Sequence, residues 1–404
     1  MCNAEIKQLI HYYIGKPEQL TSGRPNKSFS VFHPEAIAFV SALSNSIKVD
    51  PVAALYPDCM AFAFWCRENG IRQMHNQCAD YLQRRGRGIA LHYAPANIPL
   101  HFAYLLVIST LSGNRSIIRI SGRITPQAEL VLNHIKAALS NRSSTFIDSI
   151  VICSFEHNKE INDWLGSMAN ARTIWGGDST IKQIGQSEIS PGGVDISFAH
   201  RHSVCVINAS ALLRSNDLSV LAQRFYADNF TFDQKSCSSA SLVMWIGNSA
   251  ETEKARSIFW PLVEAIAERN DPFEPTKALA KLETMCLVAS KTESSAFLFR
   301  NNLVTRVQLD RLTTEQFNCN YGFFLEYQTE QIEDLVQVCD EKLQTITTFG
   351  INSEELHTLL TNHSVPGVDR ITTIGRALEF SSQWDGADLI ELLSKKRTFS
   401  TTSL

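Results

Sequence analysis

From Gly88 onward, short apolar runs alternate with longer segments in which apolar residues recur every three or four positions. The short runs are typical of buried strands and the longer segments of helices, and their alternation is typical of βαβ units around a mostly parallel sheet. The order β-α-β-α-β-α-β therefore indicates an α/β fold. The predicted strands lie at 89–93, 116–120, 149–153 and 172–175, and the predicted helices lie at 98–111, from Thr125 to 139, and at 158–169.

The same pattern indicates how the chain divides into domains. Residues 1 to about 80 are predominantly helical in pattern, and a loop rich in proline and glycine at 191–193 precedes an apolar run at 198–206. We therefore expect a first domain at 1–200, which includes the N-terminal helices, and a second domain at 201–360. The remaining residues, 361–404, are expected to form a C-terminal tail that packs back on the body.

The segment 229–247, NFTFDQKSCSSASLVMWIG, places a cysteine in a loop of small and polar residues directly before an apolar run. A helix with Asp217 positioned to cap its start is predicted before this loop and a buried strand after it. Serines beside Cys237 leave room for a substrate carbonyl, and Lys235 is placed to favour the thiolate. The alternative interpretation is that Cys237 is a small buried apolar residue.

Composition excludes several classes of protein. The 404 residues are 44% hydrophobic, which is enough for two cores, and a formal net charge of −4 with a pI of about 6.3 leaves no basic footprint for nucleic acid. The longest apolar tract, 89–111, contains two histidines, an asparagine and two prolines, which argues against a membrane span. Ten cysteines occur without CxxC pairs, and no signal-peptide core follows Met1, so we expect reduced thiols and a cytoplasmic location.

Three features of the first half suit a ligand site. Asn97 lies at the C-terminal edge of the predicted sheet, where its amide can donate into a cleft; alternatively, it caps the helix predicted from Ile98. Gly176 and Gly177 open a helix whose N–H groups suit a phosphate, or they form a tight turn. The Arg119 guanidinium, at a strand end, suits a phosphate or a ribose, or it is solvated.

Two other patterns find no support. The spacing of His200, His202 and Cys205 suggests zinc, but alternation along one strand would put the cysteine on the opposite face from the histidines. We therefore expect no metal site. The G-x-S-x-G sequence of many serine hydrolases is absent.

Four motifs follow one another along the chain: APANIPL at 94–100, GNRSIIRIS at 113–121, WGG at 175–177 and FDQKSC at 232–237. Together they resemble the aldehyde dehydrogenase superfamily, and within it the LuxC-type acyl-CoA reductases, the fatty-acid reductase family of bacterial luminescence. The resemblance extends over 89–389. It implies an aldehyde-dehydrogenase-like α/β fold, with a Rossmann-type domain that binds a nicotinamide cofactor and an α/β catalytic domain.

The resemblance also implies roles for single residues. Cys237 matches the nucleophile and Asn97 matches the asparagine of the oxyanion hole. Arg119 replaces a ribose-binding lysine and suits the 2′-phosphate of NADPH, whereas Asp178 replaces a phosphate-binding serine and would suit NADH if it faced the ribose. Gln316 falls near the glutamate that holds the nicotinamide ribose. The cofactor-binding residues implied in this way are Arg119, Ser121, Trp175, Gly176, Gly177, Phe198 and Gln316.

One departure from the superfamily bears on the reaction. Phe198 stands where hydrolytic aldehyde dehydrogenases carry the glutamate that activates water, so we expect slow hydrolysis of an acyl-enzyme. We predict an enzyme that uses NADPH to reduce an acyl thioester, of coenzyme A or a carrier protein, to an aldehyde through a cysteine acyl-enzyme. The alternatives are the reverse, acylating reaction and a catalytically silent binding partner. Candidate partners are an acyl-activating or acyl-transferring enzyme and a second copy of the chain.

Overall fold

The computed structural model of the chain describes residues 3–20, 28–299, 301–317 and 319–398. The chain forms two compact units. The first contains the residues up to Ala199 together with those from Phe380 onward, and the second is His200–Glu379. Each unit contains one large, mostly parallel sheet and several helices, so the fold class is α/β, as predicted.

The chain up to Ala199 supplies most of the first unit. Its helices are α1 (Asn3–Gln8), α2 (Pro34–Lys48), α3 (Pro57–Trp65), α4 (Glu68–Gln77), α5 (His101–Leu111), α6 (Pro126–Leu139), α7 (Ser144–Ile147), α8 (Lys159–Met168) and α9 (Asp178–Gly185). Its strands are β1 (His11–Ile14), β2 (Arg84–Gly86), β3 (Ile89–Tyr93), β4 (Arg115–Arg119), β5 (Ile150–Ser154), β6 (Ala171–Trp175) and β7 (Val194–Phe198).

Six of these strands form one sheet in the order β1-β5-β4-β3-β6-β7, in which only β1 runs antiparallel. The strands β3, β5 and β6 are buried along their whole length, which explains their near-continuous apolar sequences. The chain builds outward from β3 through β4 and β5, and then returns to the other side of β3 through β6 and β7. The strand order therefore reverses between β3 and β6, and sheets of this kind bind ligands at the C-terminal side of such a reversal.

One helix of this unit begins later than predicted. The helix expected from Ile98 starts at His101, after a turn in which the His101 N–H donates to the Ile98 carbonyl oxygen at 3.3 Å. A residue that precedes proline is disfavoured in the helical region, and Pro99 imposes this restriction on Ile98. The segment 94–100 is therefore irregular and forms a loop above the end of β3.

The second unit has seven strands and five helices within its described residues. The strands are β8 (His202–Asn208), β9 (Ala240–Ile246), β10 (Ser294–Phe299), β11 (Thr305–Leu309), β12 (Phe323–Thr329), β13 (Leu343–Phe349) and β14 (Arg370–Thr373). The helices are α10 (Ala209–Arg214), α11 (Leu218–Phe230), α12 (Ser249–Asn270), α13 (Pro275–Lys291) and α14 (Ser353–Asn362). The strands form one sheet in the order β10-β11-β12-β9-β8-β13-β14, parallel except for β10.

The apolar run 198–206, interpreted from the sequence as one strand, is divided between two sheets. Strand β7 ends at Phe198 and pairs with β6, whereas β8 begins at His202 and pairs with β9 and β13. Phe198 is the buried last residue of β7, whose other residues are at least partly exposed, and β8 is buried from His202 to Ile207, so buried residues stand at both ends of the break. His200 lies outside both strands, and the argument that it shares a strand face with His202 does not apply.

The chain returns to the first unit at Phe380, later than the predicted start of the tail at 361, because β14 completes the sheet of the second unit. The returning segment forms the antiparallel pair β15 (Gln383–Trp384) and β16 (Ala387–Asp388), then α15 (Leu389–Leu392) and β17 (Ser394–Lys396), which pairs with β2. Among the helices of the described residues, none combines the length and the apolar character needed to cross a membrane.

Candidate active site

The cysteine loop joins the end of α11 to the start of β9 and holds Cys237 partly exposed. The helix and the strand lie where the sequence predicts them. Asp217 occupies the N-cap position of α11, but its side chain accepts no capping hydrogen bond. Other contacts fix the shape of the cysteine loop.

The buried side chain of Gln234 is the centre of this loop. Its Nε2 donates to the carbonyl oxygens of Ala240 at 2.7 Å and Phe323 at 3.0 Å, and its Oε1 accepts from the N–H groups of Gly322 at 2.9 Å and Phe323 at 3.0 Å. Asp233 and Gln234 have positive φ angles of 53° and 61°, which are unfavourable for residues other than glycine. The four hydrogen bonds of Gln234 offset this strain.

Two residues at the end of α11 close the loop against β9. The Asn229 side chain accepts from the Ala240 N–H at 2.8 Å, and the Ser239 hydroxyl donates to the Asp228 carbonyl oxygen at 2.7 Å. The Asp228 carboxylate itself accepts from the N–H groups of Gly375 and Ala377. Burial raises the pKa of Asp228 to about 6, although these two N–H groups favour its ionised form.

Strand β8 contacts the backbone of the cysteine loop. Its register slips by one residue against both β9 and β13 next to Ser203, which leaves Ser241 on β9 and Gln344 on β13 as the extra residues. Bulges of this kind redirect side chains and are rare in parallel pairs. The Ser203 hydroxyl donates to the carbonyl oxygen of Cys237 at 2.7 Å and accepts from the N–H of Thr345 at 3.2 Å.

A side chain that sequence reasoning missed reaches the sulfur. The Gln344 Nε2 lies 3.1 Å from the Cys237 Sγ and donates to it. Gln344 is 4% exposed. Its position 107 residues after the cysteine, in a strand with an ordinary buried pattern, leaves no local signal from which this contact could be predicted.

Lys235 is paired with a carboxylate of the same loop. Its ammonium is 3.1 Å from Asp233 Oδ2 and 4.8 Å from the centre of the Tyr321 ring. Burial opposes the ionisation of Asp233, but hydrogen bonds from Lys277 and Lys235 outweigh it and lower the pKa of this carboxyl. An influence of Lys235 on the Cys237 thiolate stays a prediction.

The candidate residues of the first unit gather at the C-terminal edge of its sheet. Tyr93, the last residue of β3, is paired with Arg119 on one side and with Ile174 on the other, and Trp175 is paired with Phe198. The loop that contains Asn97 follows β3 directly. These strand ends lie on both sides of the order reversal, where the fold places a ligand.

Asn97 is an exposed residue of the loop 94–100. Because α5 begins at His101 with Leu100 at its N-cap position, Asn97 is not the cap of this helix, and that alternative interpretation is wrong. Its amide lies on the loop at the strand edge.

Arg119 and Ser121 follow one another at the end of β4. One guanidinium nitrogen of Arg119 donates to the Phe155 carbonyl oxygen at 3.2 Å, and the guanidinium lies 5.7 Å from the centre of the Phe155 ring. The Ser121 hydroxyl accepts from the N–H of Arg123 at 3.2 Å. An open cleft between this segment and the loop 94–100 is lined mainly by apolar side chains, among them Ile98, together with Ser121 and Arg123.

Trp175 and Phe198 stack with ring centres 3.8 Å apart and planes 17° apart. Both are buried, and Trp175 Nε1 has no hydrogen-bond partner within the described residues. The N–H of Gly176 donates to the Phe198 carbonyl oxygen at 3.2 Å. Gly177 is the N-cap residue of α9, and a Cβ added to it would meet no atom within 4 Å, so there is open space at this helix start.

Gln316 is the predicted cofactor residue that belongs to the second unit. It is exposed, and its Nε2 is 3.3 Å from the Nε2 of His202, the first residue of β8. Burial lowers the pKa of His202, which favours its neutral form. Gln316 and Cys237 thus both belong to the second unit, and Asn97, Arg119, Ser121, Trp175, Gly176, Gly177 and Phe198 to the first.

Solved structures with the same architecture are aldehyde dehydrogenases. An NAD-dependent benzaldehyde dehydrogenase from Corynebacterium glutamicum is 10% identical, with a TM-score of 0.61 over 98% of this chain and 88% of that one. An aldehyde dehydrogenase from Mycobacterium tuberculosis, solved with NAD+, is 9% identical, with a TM-score of 0.65 over 91% and 86%. A 1-pyrroline-5-carboxylate dehydrogenase from Thermus thermophilus is 11% identical, with a TM-score of 0.64 over 98% and 84%. The fold is that of the aldehyde dehydrogenase superfamily.

The sequence places the chain more narrowly within this fold. Residues 67–395 match the family described as acyl-CoA reductase (LuxC). A search of curated proteins finds no match. Because the matched region is more than half of the chain, the protein belongs to the LuxC acyl-CoA reductase family, and the resemblance found in its motifs is confirmed.

Proposed function

We propose that this protein reduces an acyl thioester to an aldehyde, with NADPH as the reductant and Cys237 as the nucleophile. The observation that carries the proposal is the partly exposed sulfur of Cys237, held in a loop by buried hydrogen bonds in a member of the acyl-CoA reductase family. A nucleophile needs both access to substrate and a defined position. The cysteine loop is consistent with both requirements.

The first half of the reaction is an acyl transfer to the protein. The thiolate of Cys237 attacks the carbonyl carbon of the thioester, and a C–S bond forms as the carbonyl electron pair moves to oxygen. When the carbonyl re-forms, the bond to the leaving sulfur breaks, and coenzyme A or the carrier-protein thiol departs. We propose that Asn97 and the backbone N–H of Cys237 donate hydrogen bonds to the oxygen while it carries negative charge.

The C-terminal edge of the first sheet suits a nicotinamide cofactor. A dinucleotide can use the open space at Gly177, the N–H groups that begin α9 and the indole N–H of Trp175, which has no hydrogen-bond partner among the described residues. Asp178, in the first turn of α9, opposes a phosphate at that point. When bound, such a cofactor supplies a hydride. We propose that Arg119 and Ser121 bind its ribose and phosphate, with Gln316 near the nicotinamide ribose.

The environment of Phe198 supports reduction over hydrolysis. Its side chain is 6% exposed and stacked on Trp175, and neither ring offers a group that can take a proton from water. By the family resemblance, Phe198 stands where the water-activating glutamate would be, so we propose that an acyl-enzyme on Cys237 persists until a hydride or a thiol reaches it. This persistence is what a reductase requires of its intermediate.

The test is to supply acyl-CoA thioesters and an acyl-carrier-protein thioester of several chain lengths with NADPH, and to identify the product. We expect an aldehyde with wild-type protein and none with Cys237→Ala. The same preparations are then given aldehyde, coenzyme A and NADP+, which measures the reverse, acylating direction. Formation of acyl-CoA without measurable aldehyde formation would reverse the proposed direction. Turnover in neither direction would favour the binding-partner alternative.

A further inference from the structure

Gln344 occupies an unusual place in the second sheet. On β13 and β8, Leu343 is paired with His202 and Thr345 with Ser203, so Gln344 is the extra residue of the bulge. Its side chain is buried, at 4% exposure. A buried amide needs hydrogen-bond partners, and its nitrogen donates to the sulfur of Cys237.

The orientation of this amide follows from its two ends. The Thr345 hydroxyl donates to Gln344 Oε1 at 3.3 Å, so the carbonyl end is already used as an acceptor. The Nε2 end, which can only donate, lies 3.1 Å from the Cys237 Sγ. A thiolate accepts a hydrogen bond more strongly than a thiol does, so this contact favours the charged form of the sulfur.

Charged groups of the surrounding elements have carboxylate partners. In the cysteine loop, Lys235 is paired with Asp233. At the start of β8, His202 has its pKa lowered by burial and lies 3.7 Å from Asp340 Oδ1, just before β13. The neutral amide of Gln344 donates directly to the sulfur.

We propose that Gln344 is a catalytic residue that holds Cys237 as a thiolate. The proposal rests on Cys237 being the nucleophile of the reductase. The same hydrogen bond serves twice: it stabilises the thiolate before attack on the thioester, and again when the C–S bond breaks and the electron pair returns to sulfur as the aldehyde leaves. A neutral donor also leaves the thiolate more nucleophilic than a fixed cation would, because nucleophilicity falls as the thiolate is stabilised.

The experiment measures the rate at which iodoacetamide alkylates Cys237 as a function of pH, with the modified peptide quantified by mass spectrometry because the chain has ten cysteines. Gln344→Met removes the donor while keeping a long side chain, and Gln344→Glu keeps the shape but brings a carboxylate. The matched control is Gln328→Met on β12, where the amide Nε2 donates to the Gly247 carbonyl oxygen at 2.8 Å.

We expect the midpoint pH of the alkylation profile to rise by about one unit in Gln344→Met and further in Gln344→Glu, with Gln328→Met unchanged. A role in packing alone would alter the melting temperature, or the rate at all pH values alike, without moving the midpoint. Unchanged midpoints in the Gln344 variants overturn the proposal, and Gln344→Glu decides the matter if Gln344→Met does not fold. Because alkylation needs no acyl substrate, a wild type that is never acylated would contradict the proposed function separately.

Discussion

The candidate residues of the first unit lie at the C-terminal edge of its sheet, on strand ends and on the loops that follow them, whereas the cysteine of the second unit lies in a loop at the N-terminal edge of its sheet. Asn97 and Gly177 are exposed, while Gln234 and Gln344, which hold the cysteine loop, are 5% and 4% exposed. The first edge leaves room for a ligand. At the edge of the second sheet, buried polar side chains hold one sulfur atom in place.

This difference predicts that substitutions in the two regions affect different properties, activity in one and stability in the other. A residue that meets the ligand on an open loop contributes little to the folded state, so its loss should affect chemistry and spare stability. A buried amide that satisfies several backbone groups contributes to folding, so its loss should lower stability first. Substitutions in the two regions should therefore separate a loss of activity from a loss of stability.

The largest effect is expected at Asn97. If its amide stabilises the oxyanion, Asn97→Ala should lower turnover by about 10²–10³-fold with little change in melting temperature. Asn141→Ala, at an exposed asparagine after α6, is the control and should change neither quantity. The measurements are steady-state kinetics and thermal unfolding. A variant that unfolds more easily but turns over at the wild-type rate would remove Asn97 from the chemistry.

The next effect concerns the stability of the cysteine loop. Gln234→Leu removes four buried hydrogen bonds to backbone groups of Ala240, Gly322 and Phe323. The free energy of unfolding should fall by roughly 2–4 kcal/mol, as measured by chemical denaturation. Gln337→Leu at an exposed position should change it by less than about 0.5 kcal/mol. Equal losses in the two variants would contradict the idea that the loop is held by buried contacts.

A third effect is the pH dependence of stability at Asp228. Its pKa is raised from 3.8 to about 6 in the folded protein, so the folded state holds the proton more tightly than the unfolded state. The resulting stabilisation is complete below about pH 4 and is lost as the pH rises through 6, by about 3 kcal/mol. Asp228→Asn should remove this part of the pH slope, and Asp217→Asn, at the exposed start of α11, should retain it. Parallel slopes in wild type and Asp228→Asn between pH 4 and 6 would refute this assignment.

The smallest effect is expected at Arg119, on the open edge. A guanidinium that grips a 2′-phosphate should make the ratio of kcat/KM for NADPH over NADH fall about tenfold in Arg119→Ala, with part of the ratio kept in Arg119→Lys. Asp178→Ser should raise the ratio by removing a carboxylate from the start of α9. A wild type that prefers NADH, with an unchanged ratio in Arg119→Ala, would show that Arg119 does not read the phosphate.

The two edges also differ in how far they could be predicted from sequence. The α/β class and the strand β3 follow from apolar periodicity, and the motifs around Asn97, Trp175 and Cys237 are local, so the family could be identified from them. The prediction that α5 begins at Ile98 was wrong, and so was the prediction of one strand over 198–206. There the outcome depends on a proline restriction and on which sheet a strand joins.

The contact between Gln344 and the sulfur of Cys237 could not be predicted from the sequence, for a physical reason. It reaches the sulfur because the register between β8 and β13 slips next to Ser203, and this slip is a property of the assembled sheet. Gln234 belongs to a recognised motif, but three of its four hydrogen bonds reach residues 88 or 89 positions away. Contacts of this range are set by topology, and the residues that carry them show ordinary local patterns.

The most direct test of Cys237 as the nucleophile is the intact mass of the protein after incubation with acyl-CoA in the absence of NADPH. We expect the mass to increase by one acyl group, which hydroxylamine removes and peptide mapping assigns to Cys237, and which NADPH converts to aldehyde. Cys237→Ala should gain no mass. Acylation at another cysteine, or aldehyde formation by Cys237→Ala, would contradict the assignment of Cys237 as the nucleophile.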